Sequence, residues 1–139
     1  MNSSILRTWL PLSLLALLGP VRVMAQDTAH FTIPFDFTVG NKQLFAGEYQ
    51  IGRLSPSSPS VLSIRYADGK AVLMTIANSG SPSRVPGIVS LTFDKIDNRY
   101  FLTQWSGDGH GLELAKPDAE KELLAKRAAR QAVTVTASR

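Results

Sequence analysis

Val61-Leu62-Ser63-Ile64-Arg65-Tyr66, then Ala67-Asp68-Gly69-Lys70, then Ala71-Val72-Leu73-Met74-Thr75-Ile76, is the stretch that decides the fold. Leu62, Ile64 and Tyr66 alternate with Val61, Ser63 and Arg65. Val72, Met74 and Ile76 alternate with Ala71, Leu73 and Thr75. Side chains of a strand point to opposite faces in turn, so period two is the mark of a strand. Asp68-Gly69 between two such runs accepts the positive φ values of a tight turn, which predicts a hairpin. The second run is apolar on both faces, which predicts a central strand.

The same period continues outward. Phe31, Ile33, Phe35, Phe37 and Val39 alternate with Thr32, Pro34, Asp36 and Thr38. Pro34 cannot donate a ladder hydrogen bond, so this strand lies at an edge or turns that N–H side outward. Gly40-Asn41 supplies a turn, Ala46-Gly47 a bend, and Tyr49 and Ile51 a strand with one apolar side. Ser55–Ser60 and Asn78–Gly87 read as Ser/Pro/Gly connections. Val89, Leu91 and Phe93 alternate, Asp97-Asn98 turns the chain, and Tyr100–Trp105 returns. Gly107-Asp108-Gly109-His110-Gly111 is a glycine-rich loop, with a short strand at Leu112 and Leu114. The expected fold is mainly β, an antiparallel sandwich or barrel of six to seven short strands.

At Pro117 the pattern changes. Proline suits a first helical position, acidic Asp118, Glu120 and Glu122 come first, and basic Lys126, Arg127 and Arg130 come last. This predicts one basic helix from Pro117 to about Gln131, with Val133–Thr136 as a last strand or a loose tail.

The N-terminus reads as a cleavable export signal. Arg7 charges a short head, Trp9–Leu18 is apolar apart from Ser13, and Gly19-Pro20 breaks the run. An apolar run of about ten residues suits a signal and falls short of the roughly 20 a membrane span needs. Val23-Met24-Ala25 places cleavage between Ala25 and Gln26. The expected organisation is a signal peptide at 1–25, a β-domain at 26–114, and a basic helix and tail at 115–139. No transmembrane helix is expected in the released chain, and the location implied is periplasmic or extracellular.

The 139-residue chain has no cysteine, which excludes thiol chemistry, Cys-ligated metal and disulfide staples. Its net charge of +4 becomes +2 once Arg7 and Arg22 leave with the signal. Residues 26–114 carry 7 basic and 8 acidic groups, and residues 115–139 carry 6 and 3. A near-neutral body gives no footprint for nucleic acid.

Phe31-Thr32-Ile33-Pro34-Phe35-Asp36-Phe37-Thr38-Val39-Gly40 and Leu44-Phe45-Ala46-Gly47-Glu48-Tyr49 resemble an uncharacterised family of small secreted β-proteins from Acidobacteria-type bacteria. The family form has proline where this chain has Phe45. The resemblance covers most of the released chain and implies a secreted β-fold, with no activity and no site residues attached.

Few residues could carry chemistry. Asp108, His110 and Glu113 are three ligand-type side chains within six positions, which would suit a metal-dependent hydrolase, although the spacing matches no ligand motif. His30 reads as a plain strand-end residue. Gly107-x-Gly109-x-Gly111 lacks the third glycine spacing and the following helix of a phosphate-cradling loop. The carboxylate pairs Asp94/Asp97 and Glu120/Glu122 fall in a turn and on a charged helix. Trp105 and Tyr100 could stack on a sugar, but an aromatic at a strand end more often packs the core. The basic helix could touch an anionic polymer or headgroup, while Glu122 before Lys126 already accounts for part of its charge. No catalytic, cofactor-binding or metal residue is therefore assigned. The expectation is an exported, non-enzymatic β-domain with a binding or structural role at the cell envelope. Its partner would be an envelope polymer or a protein. A carbohydrate-binding module and a small metal-dependent hydrolase are the alternatives.

Overall fold

The computed structural model describes residues 28–107, 109–126 and 129–138. Ala25, Gln26 and the whole expected leader lie outside the described residues, as does Asp108. Ten strands and one helix follow in chain order: β1 (Thr28–Ile33), β2 (Phe37–Val39), β3 (Lys42–Leu44), β4 (Gly47–Ser55), β5 (Ser58–Tyr66), β6 (Ala71–Gly80), β7 (Ser90–Ile96), β8 (Arg99–Gly107), β9 (His110–Leu114), α1 (Asp118–Ala125) and β10 (Arg130–Thr136). The mainly β expectation holds, with a single short helix near the C-terminus.

The strand count exceeds the six to seven expected, for local reasons. Proline breaks the first alternating run, so β1 ends at Ile33 and β2 begins at Phe37. The Ser55–Ser60 segment is mostly strand: β4 reaches Ser55 and β5 resumes at Ser58. β6 runs on to Gly80, because Ala77–Gly80 pair with β9.

The sheet order is β1-β4-β5-β6-β9-β8, and β8 then pairs with β7 along one edge and with β2 at Thr38↔Phe101. β10 pairs with β7, and β3 with β2. All pairs are antiparallel except β2 with β8. The sheet folds over on itself as in a sandwich and does not close. Its two ends, β1 and β10, meet through one bridge, His30↔Ser138. We call this meeting line the seam. β1 is an edge strand, as Pro34 implied.

Both turn expectations of the central hairpins hold. Gly69 takes φ +86, and the turn is closed by Tyr66 N–H donating to the Lys70 carbonyl and Gly69 N–H donating to the Tyr66 carbonyl. Asp97 and Asn98 take φ +48 and +63, the two-residue turn whose twist matches its flanking strands. β6 is central by pairing but not by burial. Leu73 and Ala77 turn inward, while Met74 and Ile76 are 53% and 76% exposed.

The core forms from the inward side of each run: Phe31, Ile33, Phe37, Tyr49, Ile51, Leu62, Ile64, Leu91, Phe93, Leu102 and Trp105 are all buried. Phe37 meets Tyr49 and Phe93 edge-on, the arrangement that ring quadrupoles favour.

The helix is shorter than the sequence suggests. Pro117 is its cap rather than its first turn, Lys126 ends it, and no basic residue sits in its last turn. Arg130 instead pairs with Ile96 as the first residue of β10. Cross-strand hydrogen bonds and side-chain contacts here outweigh helix propensity. Glu122 and Lys126 do form the expected i,i+4 pair at 2.9 Å. No helix among the described residues is long and apolar enough to cross a membrane.

Candidate functional site

The residues singled out in the sequence do not converge. Trp105 is fully buried and has no ring face to offer a sugar. Tyr100 stacks on Phe35 at 3.8 Å, with the Lys95 amine 5.6 Å from its ring centre. His110 and Glu113 are exposed on β9, three residues apart, which sends their side chains to opposite faces of the strand. Among the described residues no three His, Asp or Glu side chains cluster as a metal site. The glycines of that loop have structural reasons. Gly107 lies against Trp105 and Val89, Gly109 takes φ +75, and Gly111 passes the backbone of Ser81 too closely for a side chain.

The charged groups that do converge come from separate elements. Asp94 of β7 is 1% exposed, and Glu120 of α1 is fully buried. Asp94 shares a register position with Ala132, on the outer face of β7 that α1 covers. The Lys116 amine lies 3.6 Å from Asp94 Oδ2 and 3.3 Å from Glu120 Oε1. Arg130 Nε lies 2.7 Å from Asp94 Oδ2. Neither Asp94 oxygen, nor Glu120 Oε2, receives a hydrogen bond from a nitrogen of suitable geometry. A proton on Glu120 that is donated to Asp94 satisfies both groups at once. Burial, and then the hydrogen bond with Asp94, raise the Glu120 pKa above its ordinary value, against the pull of Lys116. The pair is out of reach of a sequence reading: Asp94 and Glu120 lie on a strand and a helix separated by two further strands.

This cluster pins α1 and the start of β10 to the sheet. A neutral Glu120 folds more easily than a charged one. Its contribution is therefore present below the ordinary glutamate pKa of 4.5 and is lost as pH rises through the elevated folded value. Glu120→Gln keeps a donor for Asp94 and cannot ionise. Its melting temperature relative to the parent is expected to be higher at pH 8 than at pH 4, because the parent alone must charge Glu120 as pH rises. A flat difference across that range would contradict a buried, proton-sharing pair. A polar cleft of ≈170 Å³ beside it is lined by Thr92, Asp94, Gln104, Glu113, Lys116 and Arg130.

A larger cleft of ≈480 Å³ opens at the seam. Thr28, Ala29 and His30 form one wall, Thr136, Ala137 and Ser138 another, and Gly87, Ile88 and Val89 the base. Ala29, Val89 and Ala137 pack against the core, while Ile88 stays 37% exposed. The volume is that of a small-ligand or side-chain pocket, and the lining mixes small apolar residues with the hydroxyls of Thr28, Thr136 and Ser138 and is uncharged apart from His30. His30 thus sits at the bridge between the two sheet ends, a placement that its position in the sequence gives no hint of.

Comparison with protein-family models, with curated proteins and with solved structures finds no match.

Proposed function

We propose that this is an exported, non-enzymatic β-domain that binds a partner at the cell envelope, in the periplasm or outside the cell. The leader-like segment before Gln26 and the cysteine-free β-core support export. One observation carries the binding role: the seam cleft, the larger of the two described, lies apart from the buried carboxyl pair. The carboxyl pair is buried and spent on holding α1 and β10. The seam cleft is lined by small apolar and hydroxyl side chains, with His30 as its one titratable group. An acid–base mechanism needs its groups in the open cleft, within hydrogen-bond reach of a substrate.

The test uses the protein as released by an exporting cell. Intact mass is expected to begin at Gln26. Titration with solubilised envelope fractions is expected to shift the NMR signals of Ala29, Ile88 and Ala137. Turnover of ester, glycoside or peptide substrates that disappears in a folded Asp94→Asn variant would overturn the reading.

A further inference from the structure

We propose that the polar cleft beside the Asp94–Glu120 pair is a binding site for a small zwitterionic α-amino acid, whose carboxylate lies on Lys116 and Arg130 and whose ammonium lies between Glu113 and Gln104. This site is separate from the seam cleft, and either binds without the other.

The sheet builds the cleft through its register. Glu113 of β9 lies opposite Gln104 of β8, and Gln104 lies opposite Thr92 of β7. Paired residues share a face, so these three form a row across the sheet. Two residues along β7, Asp94 lies opposite Ala132 of β10, a side chain too short to fill the space beside it. The β7–β8 register shifts between Thr92 and Phe93, which inserts Thr103 next to Gln104. Lys116 comes two residues after β9, and Arg130 begins β10. Together they line ≈170 Å³. Pockets for drug-sized ligands measure about 300–1,000 Å³, so this one admits a much smaller molecule.

Its charges are balanced in sum but not in place. Lys116 and Arg130 both approach Asp94, at 3.6 Å and 2.7 Å. Glu120 holds the proton shared with Asp94, so two positive charges there meet one negative. Glu113 is exposed, and among the described residues no cation pairs with it. One positive charge is thus left over beside Asp94 and one negative charge at Glu113. A ligand with a single charge would satisfy one end and leave the other bare, whereas a zwitterion complements both.

The hydrogen-bonding groups repeat that division. Gln104 Nε2 donates to the Ser81 carbonyl at 2.7 Å, and Thr103 Oγ1 to the Thr92 carbonyl at 3.0 Å. With those donors engaged, Gln104 keeps its Oε1 as an acceptor, on the residue paired with Glu113. Two acceptors on paired residues suit an ammonium, which has three donors. At the other end Arg130 approaches Asp94 through Nε, and a guanidinium has further nitrogens with which to meet a second carboxylate. The span agrees. Strands lie about 4.8 Å apart and residues advance about 3.4 Å, which puts the Cα atoms of Glu113 and Asp94 about 12 Å apart. The side chains of Glu113, Lys116 and Arg130 cover most of that distance. What is left suits the adjacent charges of an α-amino acid and excludes a longer dipolar molecule.

The probe is L-alanine, added to the exported protein and followed by NMR. The amide signals of Gln104, Glu113 and Lys116 are expected to shift and to saturate. Alaninamide lacks the carboxylate and N-acetylalanine lacks the ammonium, and each is expected to bind about tenfold more weakly or worse. Glu113 is exposed, so Glu113→Gln is expected to fold as the parent does. This variant is expected to lose about tenfold in affinity for alanine while its weak binding of N-acetylalanine stays the same, a pattern that a general loss of structure would not give. Absence of a saturable shift at these three amides overturns the proposal. Equal binding by N-acetylalanine would make this a plain carboxylate site, and equal binding by alaninamide a plain cation site; either overturns it. The signals of Ala29, Ile88 and Ala137 report on the seam cleft separately, so failure of one site is distinguished from failure of the other.

Discussion

Gly111→Ala is expected to be among the most damaging single-methyl changes in the molecule. Gly111 lies opposite Gly80 on β6 and Ser106 on β8, so it is clamped from both sides. A Cβ there would fall into the Ser81 carbonyl and within 2.8 Å of the Gly80 oxygen. Backbone cannot swing aside as a side-chain tip does, and β9 would have to leave β6. Overpacking costs about 1–3 kcal/mol where side chains can adjust, and this site belongs at or above the upper end. For a domain of this size the melting point is expected to fall by about 12 °C or more. Gly109→Ala meets open space and suffers only from its φ of +75, so it is expected to cost about 1–2 kcal/mol. If the two variants melted together, the close approach at Ser81 would be wrong.

Trp105→Ala is the second large effect. The ring is fully buried on β8, opposite Leu91 and Leu112, and its edge meets the backbone of Gly107. Removing a buried tryptophan costs about 3–5 kcal/mol through lost transfer energy and the cavity left behind. Trp105→Phe is expected to cost much less, since the indole N–H has no partner to lose. Fluorescence checks the same claim. Trp105 is the single tryptophan after position 9, so native emission of the released protein is expected to be blue-shifted and to move red on unfolding. Native emission at the wavelength of exposed tryptophan, or quenching by added sugars, would place the ring on the surface.

These two sites show what the sequence could reveal. Period two around Asp68-Gly69 and Asp97-Asn98 was legible because a strand and its turn are local: the residues that form them are neighbours in the chain. The glycines at 107, 109 and 111 were legible as a signal but not as a meaning, because Gly111 answers to Ser81, thirty residues earlier. The Asp94–Glu120 pair was not legible at all. Its members share no periodicity, and neither the carboxylate pair Asp94/Asp97 nor Glu120/Glu122 forms the observed contact. Pro117 and the charge order marked a helix correctly, yet could not stop it at Lys126, since its end is set by the pairing of β10 with β7. The alternation of Val133-Thr134-Val135-Thr136 was the available sign of that strand. The exposed faces of Met74 and Ile76 likewise depend on what lies across the sheet, which period alone does not record.

The seam brings β1 and β10 together, and β10 is docked to β7 along one side. Residue-resolved hydrogen exchange of the free protein measures this directly. Val133 and Val135 amides are expected to be protected by their bonds to β7, while Ala132 and Thr134, which face away from β7 and lie farther from the bridge, exchange about tenfold faster or more. Uniform protection along β10 would mean that its edge is already filled, and uniform fast exchange would mean that the strand is not docked; either contradicts the account.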